Sequence, residues 1–252
     1  MEVNAAMAGE DSTVHTMNAI HRVGPVFYAS RPRDSATSRR DGATGEEAKL
    51  RLVATLWNHL MALESPLWEH CRSSNGAALP IQLRCGLLGR PQLWLGEYPG
   101  PAISFSASGG KIWAALCGDG ADIGIDVAGT DEFPGAYPFH RVFQPRELEH
   151  ALRFAGGELA AASALLWSIK EAVVKALGCA FHLVEPRQIT VYPAAAGSAG
   201  EGGGYTFPVG LSGKARERFP LAASRSLWVR SLPQGKQWLS IAHWQRQPIV
   251  HE

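Results

Sequence analysis

Three charged residues stand out because their types and spacing could bind a metal ion and a phosphate. Glu171 and Lys175 lie four residues apart in the segment WSIKEAVVKALG, and Asp126 follows the apolar run IGI. A hard divalent cation takes oxygen ligands from one or two carboxylates, and a lysine ammonium binds phosphate as a point charge. Plainer interpretations exist: Glu171 and Lys175 form an i,i+4 ion pair on a solvated helix face, and Asp126 is exposed past a strand end. Spacing alone favours the plainer ones.

The segment around Glu171 has the periodicity of a helix. Apolar residues recur at helical spacing along one ridge: Leu166, Ile169, Val173 and Leu177. Glu171 and Lys175 fall roughly opposite this ridge, so we do not expect them in the core. The helix should end at Gly178, because glycine readily adopts the left-handed conformation of a helix C-cap.

The chain alternates helix-like and strand-like segments twice. Residues 46 to about 63 predict a helix, and the short apolar runs between residues 81 and 127 predict an antiparallel meander with a tight turn at 108–111. Two helices are predicted between residues 146 and 178, and strands again between 188 and 244. This order predicts an α+β fold with two similar lobes, each a helix packed on an antiparallel sheet, which meet in a cleft near Asp126.

The predicted domain organisation has three parts. Residues 1–45 are rich in Ala, Ser, Thr and Gly without sustained periodicity, which predicts a poorly structured N-terminal extension with one short strand at Val26–Ala29. Residues 46–122 form the N-terminal lobe, and residues 123–245 form the C-terminal lobe with the candidate site residues.

Composition limits the partners. The 252 residues include 24 Lys+Arg and 23 Asp+Glu, a formal net charge of +1, so there is no overall basic surface to attract nucleic acid or a membrane. No apolar window reaches the length of a membrane span, and the amino terminus lacks a signal peptide, so we expect a cytoplasmic protein. The four cysteines are far apart and predict free, mostly buried thiols rather than disulfides or a zinc site. Only six of the basic residues are lysines, which makes each lysine notable.

The segments 123–127 (IGIDV) and 167–175 (WSIKEAVVK) together resemble the two signature motifs of the 4'-phosphopantetheinyl transferase superfamily, in its larger, surfactin-type class. A chance match is improbable in a chain with so few Trp and Lys residues. Three other segments are similar to elements of the family: Gly89–Pro91 to Gly-Lys-Pro, Ser106–Gly109 to Ser-His-Ser-Gly, and Val142–Glu147 to a Phe-x-x-x-Glu stretch. The resemblance covers about residues 83–178 and extends by topology to about residue 244.

The resemblance implies an enzyme of the holo-[acyl-carrier-protein] synthase type. Members transfer the 4'-phosphopantetheine arm of coenzyme A to a serine hydroxyl of an apo acyl or peptidyl carrier protein, depend on Mg²⁺, and release 3',5'-ADP. The implied partners are coenzyme A and carrier proteins of fatty acid, polyketide or nonribosomal peptide synthesis. The implied fold has two lobes related by pseudo-twofold symmetry with the active site between them, in a monomer.

The resemblance also assigns roles to individual residues. Asp126 and Glu171 are the implied metal ligands, and Glu171 or a metal-bound water would help remove the serine proton. Lys175 is implied to hold the diphosphate, Lys170 to contact phosphate nearby, and Arg90 to hold a terminal phosphate as a bidentate fork. Asp126, Glu171 and Lys175 are therefore the candidate catalytic residues.

An anion-binding turn is expected at Ser106, Ser108 and Gly109, where hydroxyls and backbone amides are available. Two departures from the family pattern lie close to the site. Ala128 replaces an acid that supplies a third metal ligand in many relatives, and Ala107 replaces a phosphate-binding histidine. These losses leave open a non-catalytic homologue that binds coenzyme A or carrier proteins, and an unrelated α+β domain with a coincidental motif. The loop 133–143 is the candidate carrier-protein surface; alternatively, its aromatic residues belong to the core.

Overall fold

The described residues form twelve β-strands and six α-helices. The structure is a computed structural model that describes residues 19–33, 43–63, 66–71, 79–135, 137–194, 203–225 and 227–245. The strands are β1 (His21–Val23), β2 (Val26–Pro32), β3 (Ile81–Cys85), β4 (Pro91–Leu95), β5 (Tyr98–Pro99), β6 (Ile103–Ser108), β7 (Lys111–Cys117), β8 (Asp122–Gly129), β9 (Ile189–Val191), β10 (Tyr205–Leu211), β11 (Leu227–Gln234) and β12 (Gln237–Trp244). The helices are α1 (Ala43–Ala62), α2 (Phe139–Val142), α3 (Pro145–Phe154), α4 (Leu159–Ala176), α5 (Gly213–Arg218) and α6 (Pro220–Ala223).

The strands form three sheets in which neighbouring strands are antiparallel. The first sheet has the order β1-β2-β7-β6, the second β8-β12-β11-β10-β9, and a small third sheet β3-β4-β5. The mixed fold of helices and sheets that the sequence predicts is confirmed. The single meander predicted across residues 81–127 is wrong, because β8 leaves its chain neighbours and pairs with β12, more than a hundred residues away.

The two larger sheets pack face to face, and each is covered by a helix on its outer face. In β2, Phe27 and Ala29 join the core beneath α1, whereas Val26 and Tyr28 join the core between the sheets. The second sheet packs its opposite face against α4. This strand alternation produces the layer order helix, sheet, sheet, helix.

The N-terminal region corrects the sequence prediction. Residues 21–23 and 26–32 form β1 and β2, and β2 pairs along its whole length with β7. The short strand predicted at Val26–Ala29 is confirmed as part of β2, but the poorly structured extension predicted around it is wrong for this segment, which is integral to the first sheet. Its short apolar run is too brief to show periodicity, and its stability comes from pairing with a distant strand. Residues 1–18 and 34–42 lie outside the described residues.

Strand β8 is where the fold brings α4 close to the sheet. Its even-numbered residues, Gly124 and Asp126 among them, face α4, while Ile123 and Ile125 face the first sheet. A Cβ at Gly124 would lie 2.6 Å from the backbone nitrogen of Ala176 and even closer to a carbonyl oxygen of the helix. Only glycine permits this approach, so Gly124 sets the height of α4 above Asp126.

The predicted turns that frame these elements are confirmed. Helix α4 ends as expected, with Gly178 at a φ of +72°. Gly109 and Gly110, with φ of +58° and +71°, form the β6–β7 hairpin. None of the described helices combines the length and apolar character needed to cross a bilayer.

Candidate active site

Asp126 is buried at the centre of a small polar network. Its Oδ1 accepts hydrogen bonds from Ser106 Oγ at 3.0 Å and from Lys175 Nζ at 2.6 Å. Lys175 Nζ also donates to the carbonyl oxygen of Ile125 at 3.2 Å. The plainer interpretation of Asp126, an exposed acid past a strand end, is therefore wrong: β8 continues to Gly129, and the carboxylate faces α4.

Glu171 lies one helical turn before Lys175, and its Oε2 is 3.9 Å from Lys175 Nζ. This distance satisfies the i,i+4 ion pair, but the closer partner of Lys175 is Asp126. Burial raises the pKa of the Glu171 carboxyl; nearby Asp126 and Glu132 raise it further, while Lys175 lowers it. Glu171 therefore lies in a region where negative charge is incompletely compensated.

Glu132 is a third carboxylate in this region that the sequence reasoning did not assign. Its Oε1 accepts from the backbone N–H of Gly129 at 2.8 Å and from Ser108 Oγ at 3.2 Å. Its charge also raises the pKa of Glu171. The only signal in the sequence was the closeness of Glu132 to Asp126. The turn after β8 brings Glu132 back towards Ser108, and sequence spacing does not show this return.

Three cations line one cavity beside this network. Lys49, Arg90 and Lys175 all border a cavity of about 280 Å³. Lys49 and Lys175, together with Arg33, also border a neighbouring cavity of about 340 Å³ that includes Ser106. Arg90 forms an ion pair with Asp122. Four basic side chains thus border the two cavities, two of them paired with a carboxylate, a clustering that the neutral overall composition does not suggest.

The two cavities together are called the groove below. Lys49 is the residue of this groove that the sequence did not predict. It lies on α1, and its Nζ is 5.5 Å from the ring centroid of Phe105, which also lines the groove. The available signal in the sequence was the scarcity of lysine, since Lys49 is one of only six in the chain. Its place in the same cavities as Lys175 depends on how α1 packs, which helical periodicity alone does not give.

Lys170 occupies a position that contradicts its predicted phosphate contact. Its side chain is 0% exposed, and Nζ donates to Glu147 Oε2 at 2.9 Å. Nζ also donates to three backbone carbonyls, those of Val142, Pro186 and Ile189, at 3.2, 2.9 and 2.8 Å. All of its donors are used inside the core, so Lys170 ties α4 to α3 and to the chain before β9.

The predicted anion-binding turn is organised around the carboxylates. Ser106 is buried, and its Oγ accepts from the backbone N–H of Val127 at 3.1 Å besides donating to Asp126. Ser108 Oγ accepts from Gln237 Nε2 at 3.0 Å, and Gln237 also lies against Gly109. Ser106 therefore orients Asp126, while the contacts that Ser106, Ser108 and Gly109 were expected to make with a cofactor stay predictions.

The two departures from the family pattern lie on either side of this network. Ala128 is buried on the face of β8 that meets α4, two residues beyond Asp126, so its methyl group occupies the place of an acid. Ala107 is exposed and borders the cavity that includes Ser106. Neither side chain can bind a metal or a phosphate.

The aromatic residues of the loop 133–143 pack mainly on one another. Phe133 and Phe143 are buried, and Tyr137 lies between them, with ring centroids 4.9 and 6.5 Å away. The alternative interpretation, that these rings belong to the core, is thus the one observed. Arg141 is exposed and stays available to a partner.

Residues 122–207 match the family model of the 4'-phosphopantetheinyl transferase superfamily. The matched range contains Asp126, Glu171 and Lys175, and the match confirms the resemblance of this segment to the superfamily.

Two solved structures are similar to parts of the chain. The ACPS-CoA complex of Chronobacterium ammoniagenes is 20% identical, with a TM-score of 0.41, and covers 51% of this chain and 98% of its own. An apo-ACPS structure of the same organism is 22% identical, with a TM-score of 0.38, and covers 50% and 98%. No curated protein matches the chain.

Proposed function

We propose that this protein transfers the 4'-phosphopantetheine arm of coenzyme A to a serine hydroxyl of an apo acyl or peptidyl carrier protein and releases 3',5'-ADP. The observation that carries the proposal is the placement of Lys49, Arg90 and Lys175 around one cavity beside Asp126 and Glu171. Coenzyme A is a small polyanion with a diphosphate and a 3'-phosphate. A few directed cations suit such a ligand better than a basic surface does.

The carboxylates are suited to a divalent cation. Asp126 and Glu171 both pair with Lys175. Burial and the charges of Asp126 and Glu132 raise the pKa of Glu171, and a cation would balance that negative charge. Asp126 and Glu171 would hold Mg²⁺. When bound, the ion would neutralise charge on the diphosphate. Ser106 fixes the orientation of Asp126 for this role.

In this proposal Glu171 accepts the proton of the attacking serine, with a water molecule held by the ion as the alternative acceptor. The serine oxygen forms a bond to phosphorus, the bond from phosphorus to the ADP oxygen breaks, and the serine proton passes to the Glu171 carboxylate. Lys175 lies beside Glu171 and Asp126. Its ammonium would stabilise the negative charge that develops on the diphosphate.

The proposal extends to the organisation of the enzyme. The first sheet with α1 and the second sheet with α4 serve as two lobes with pseudo-twofold symmetry, as in the surfactin-type class. The boundary proposed at residues 122–123 falls at the start of β8, and β1 and β2 belong with the first lobe. We propose a cytoplasmic monomer whose partners are coenzyme A and carrier proteins.

The direct test incubates the purified protein with coenzyme A, Mg²⁺ and apo carrier proteins, and weighs the carriers by mass spectrometry. We expect the mass of one phosphopantetheine arm to be added to at least one acyl or peptidyl carrier. Asp126→Asn and Glu171→Gln should abolish the addition. Glu149→Gln, which removes an exposed acid that pairs with Arg153 on α3, is the matched control and should leave it intact.

Three results would contradict the proposal or one of its residue roles. Failure to modify any carrier, with coenzyme A still bound in a calorimetric titration, would favour the non-catalytic homologue. Failure to bind coenzyme A as well would leave the groove without its proposed ligand. Full activity of Glu171→Gln would show that Glu171 forms only an ion pair with Lys175 and takes no part in transfer.

A further inference from the structure

A second cluster of potential metal ligands lies where the β7–β8 turn meets β12. Cys117 ends β7, Asp119 lies in the turn, and His243 is near the end of β12. One ligand atom from each residue falls within 4.8 Å of the others. Cys117 Sγ is 2.8 Å from Asp119 Oδ1, and His243 Nε2 is 3.1 Å from Asp119 Oδ2.

This cluster is separate from the carboxylates of the proposed active site. His243 pairs with Ile123 on β8, whereas Asp126 pairs with Ser240, three residues away along β12. At a rise of about 3.3 Å per residue, the two sites are about 10 Å apart along the strand. Among the residues that the structure describes, no other three His, Cys, Asp or Glu side chains bring ligand atoms this close together.

The donor set selects the kind of metal. Thiolate sulfur, imidazole nitrogen and carboxylate oxygen together suit Zn²⁺, whereas Mg²⁺ takes oxygen ligands alone. Gln245 Nε2 donates to Asp119 Oδ2 at 3.5 Å and is an outer partner of this carboxylate. The backbone N–H of Ala121 donates to Asp119 Oδ1 at 3.0 Å and orients the carboxylate, as an outer partner does in zinc sites.

We propose that Cys117, Asp119 and His243 bind a zinc ion that fastens the β7–β8 turn to β12. The turn connects the first sheet to the second, so the ion would hold together the two sheets at one end of their shared core. A thiolate, a carboxylate and a neutral imidazole carry two negative charges, which the ion balances.

Zinc binding has to displace the thiol proton. Burial raises the pKa of Cys117, and its hydrogen bond to Asp119 raises it further. A bound ion reverses this preference, because a coordinated thiol is deprotonated. The sequence could not indicate the site, since its ligands lie at positions 117, 119 and 243 and match no local ligand spacing.

The test uses the full chain, stripped of metal with a chelator and titrated with Co²⁺ as a spectroscopic probe for the zinc site. We expect one equivalent of Co²⁺ to produce a thiolate-to-cobalt charge-transfer absorption, which Zn²⁺ then removes by displacement. Zn²⁺ should also raise the unfolding temperature. Cys117→Ser should abolish the charge-transfer absorption, and His243→Gln should weaken Co²⁺ binding at least tenfold.

Two control variants make the assignment specific. Cys85→Ser removes an exposed thiol, and Asp126→Asn alters the proposed magnesium site; both should keep the thiolate-to-cobalt absorption of the wild type. The proposal is overturned if the wild type gives no charge-transfer absorption, or if Cys85→Ser loses it. If Cys117→Ser does not fold, His243→Gln decides, since His243 is partly exposed; unchanged Co²⁺ binding by this variant overturns the proposal.

Discussion

The buried position of Lys170 leads to a prediction that separates it from Lys175. Lys170→Met retains an unbranched side chain but leaves Glu147, which is 2% exposed, as a buried charge without its cation. Removing one partner of a buried ion pair costs about 3–5 kcal/mol. That is a large share of the stability of a typical domain, which is about 5–15 kcal/mol. We therefore expect Lys170→Met to lower the free energy of unfolding by about this amount.

The affinity for coenzyme A should distinguish Lys170 from Lys175 in the opposite way from stability. Lys170 Nζ contacts only core groups among those described, so folded Lys170→Met should bind coenzyme A with nearly unchanged affinity. Lys175→Met is the matched variant on the same helix. It removes a partly exposed cation from the groove, so it should cost coenzyme A affinity at least tenfold and stability much less.

The assay combines urea unfolding with calorimetric titration of coenzyme A at a temperature where both variants are folded. Glu147→Gln combined with Lys170→Met tests the origin of the loss, because it removes the uncompensated charge and should recover part of the stability. Recovery will be incomplete, since Glu147 also accepts from the backbone N–H groups of Gln144 and Val191. Wild-type stability of Lys170→Met together with lost coenzyme A affinity would refute the reasoning.

Three further predictions concern the neighbouring residues. Gly124→Ala should lower the free energy of unfolding in urea by more than about 3 kcal/mol, because the added methyl group meets helix backbone that cannot move aside. Ser106→Ala should cost about 1–3 kcal/mol in the same assay, because it leaves the N–H of Val127 without its acceptor, and it should slow transfer more than it weakens coenzyme A binding. Because the folded pKa of Glu171 is raised above its unfolded value, this group's contribution to stability is fully present below the unfolded pKa and is lost as the pH rises through the folded pKa. Glu171→Gln removes this pH-dependent loss of stability. At neutral pH its free energy of unfolding in urea should therefore exceed that of the wild type by about 0.5–2 kcal/mol. This difference should shrink as the pH is lowered.

Local sequence patterns were sufficient to predict individual helices and turns but not which strands pair with each other. Periodicity predicted α4 and its end at Gly178, and glycine pairs predicted the β6–β7 hairpin. The pairing of β8 with β12 depends on residues over a hundred positions apart, and no pattern within either strand specifies the other. The contribution of Lys49 to the groove depends on the packing of α1 in the same way.

The error at Lys170 had a signal in the sequence. Lys170 lies four residues after Leu166 and three before Val173, so it belongs to the apolar ridge itself. A charged residue on a buried ridge requires a partner, so this position indicates a buried ion pair rather than a phosphate contact. The identity of the partner could not be read, because Glu147 is 23 residues away on another helix.

The two lysines of the motif therefore act on different sides of one helix. At 100° per residue, five residues place Lys170 and Lys175 about 140° apart around α4, while Glu171 and Lys175 differ by only about 40°. Lys170 points into the core and fixes α4 against α3, and Lys175 faces Asp126 at the groove. The spacing of the motif thus separates the residue that anchors the helix from the face that carries the proposed site. An exchange of Lys170 for arginine tests this distinction: the larger guanidinium cannot fit among three carbonyls that converge on one nitrogen, so stability should fall although the charge is kept.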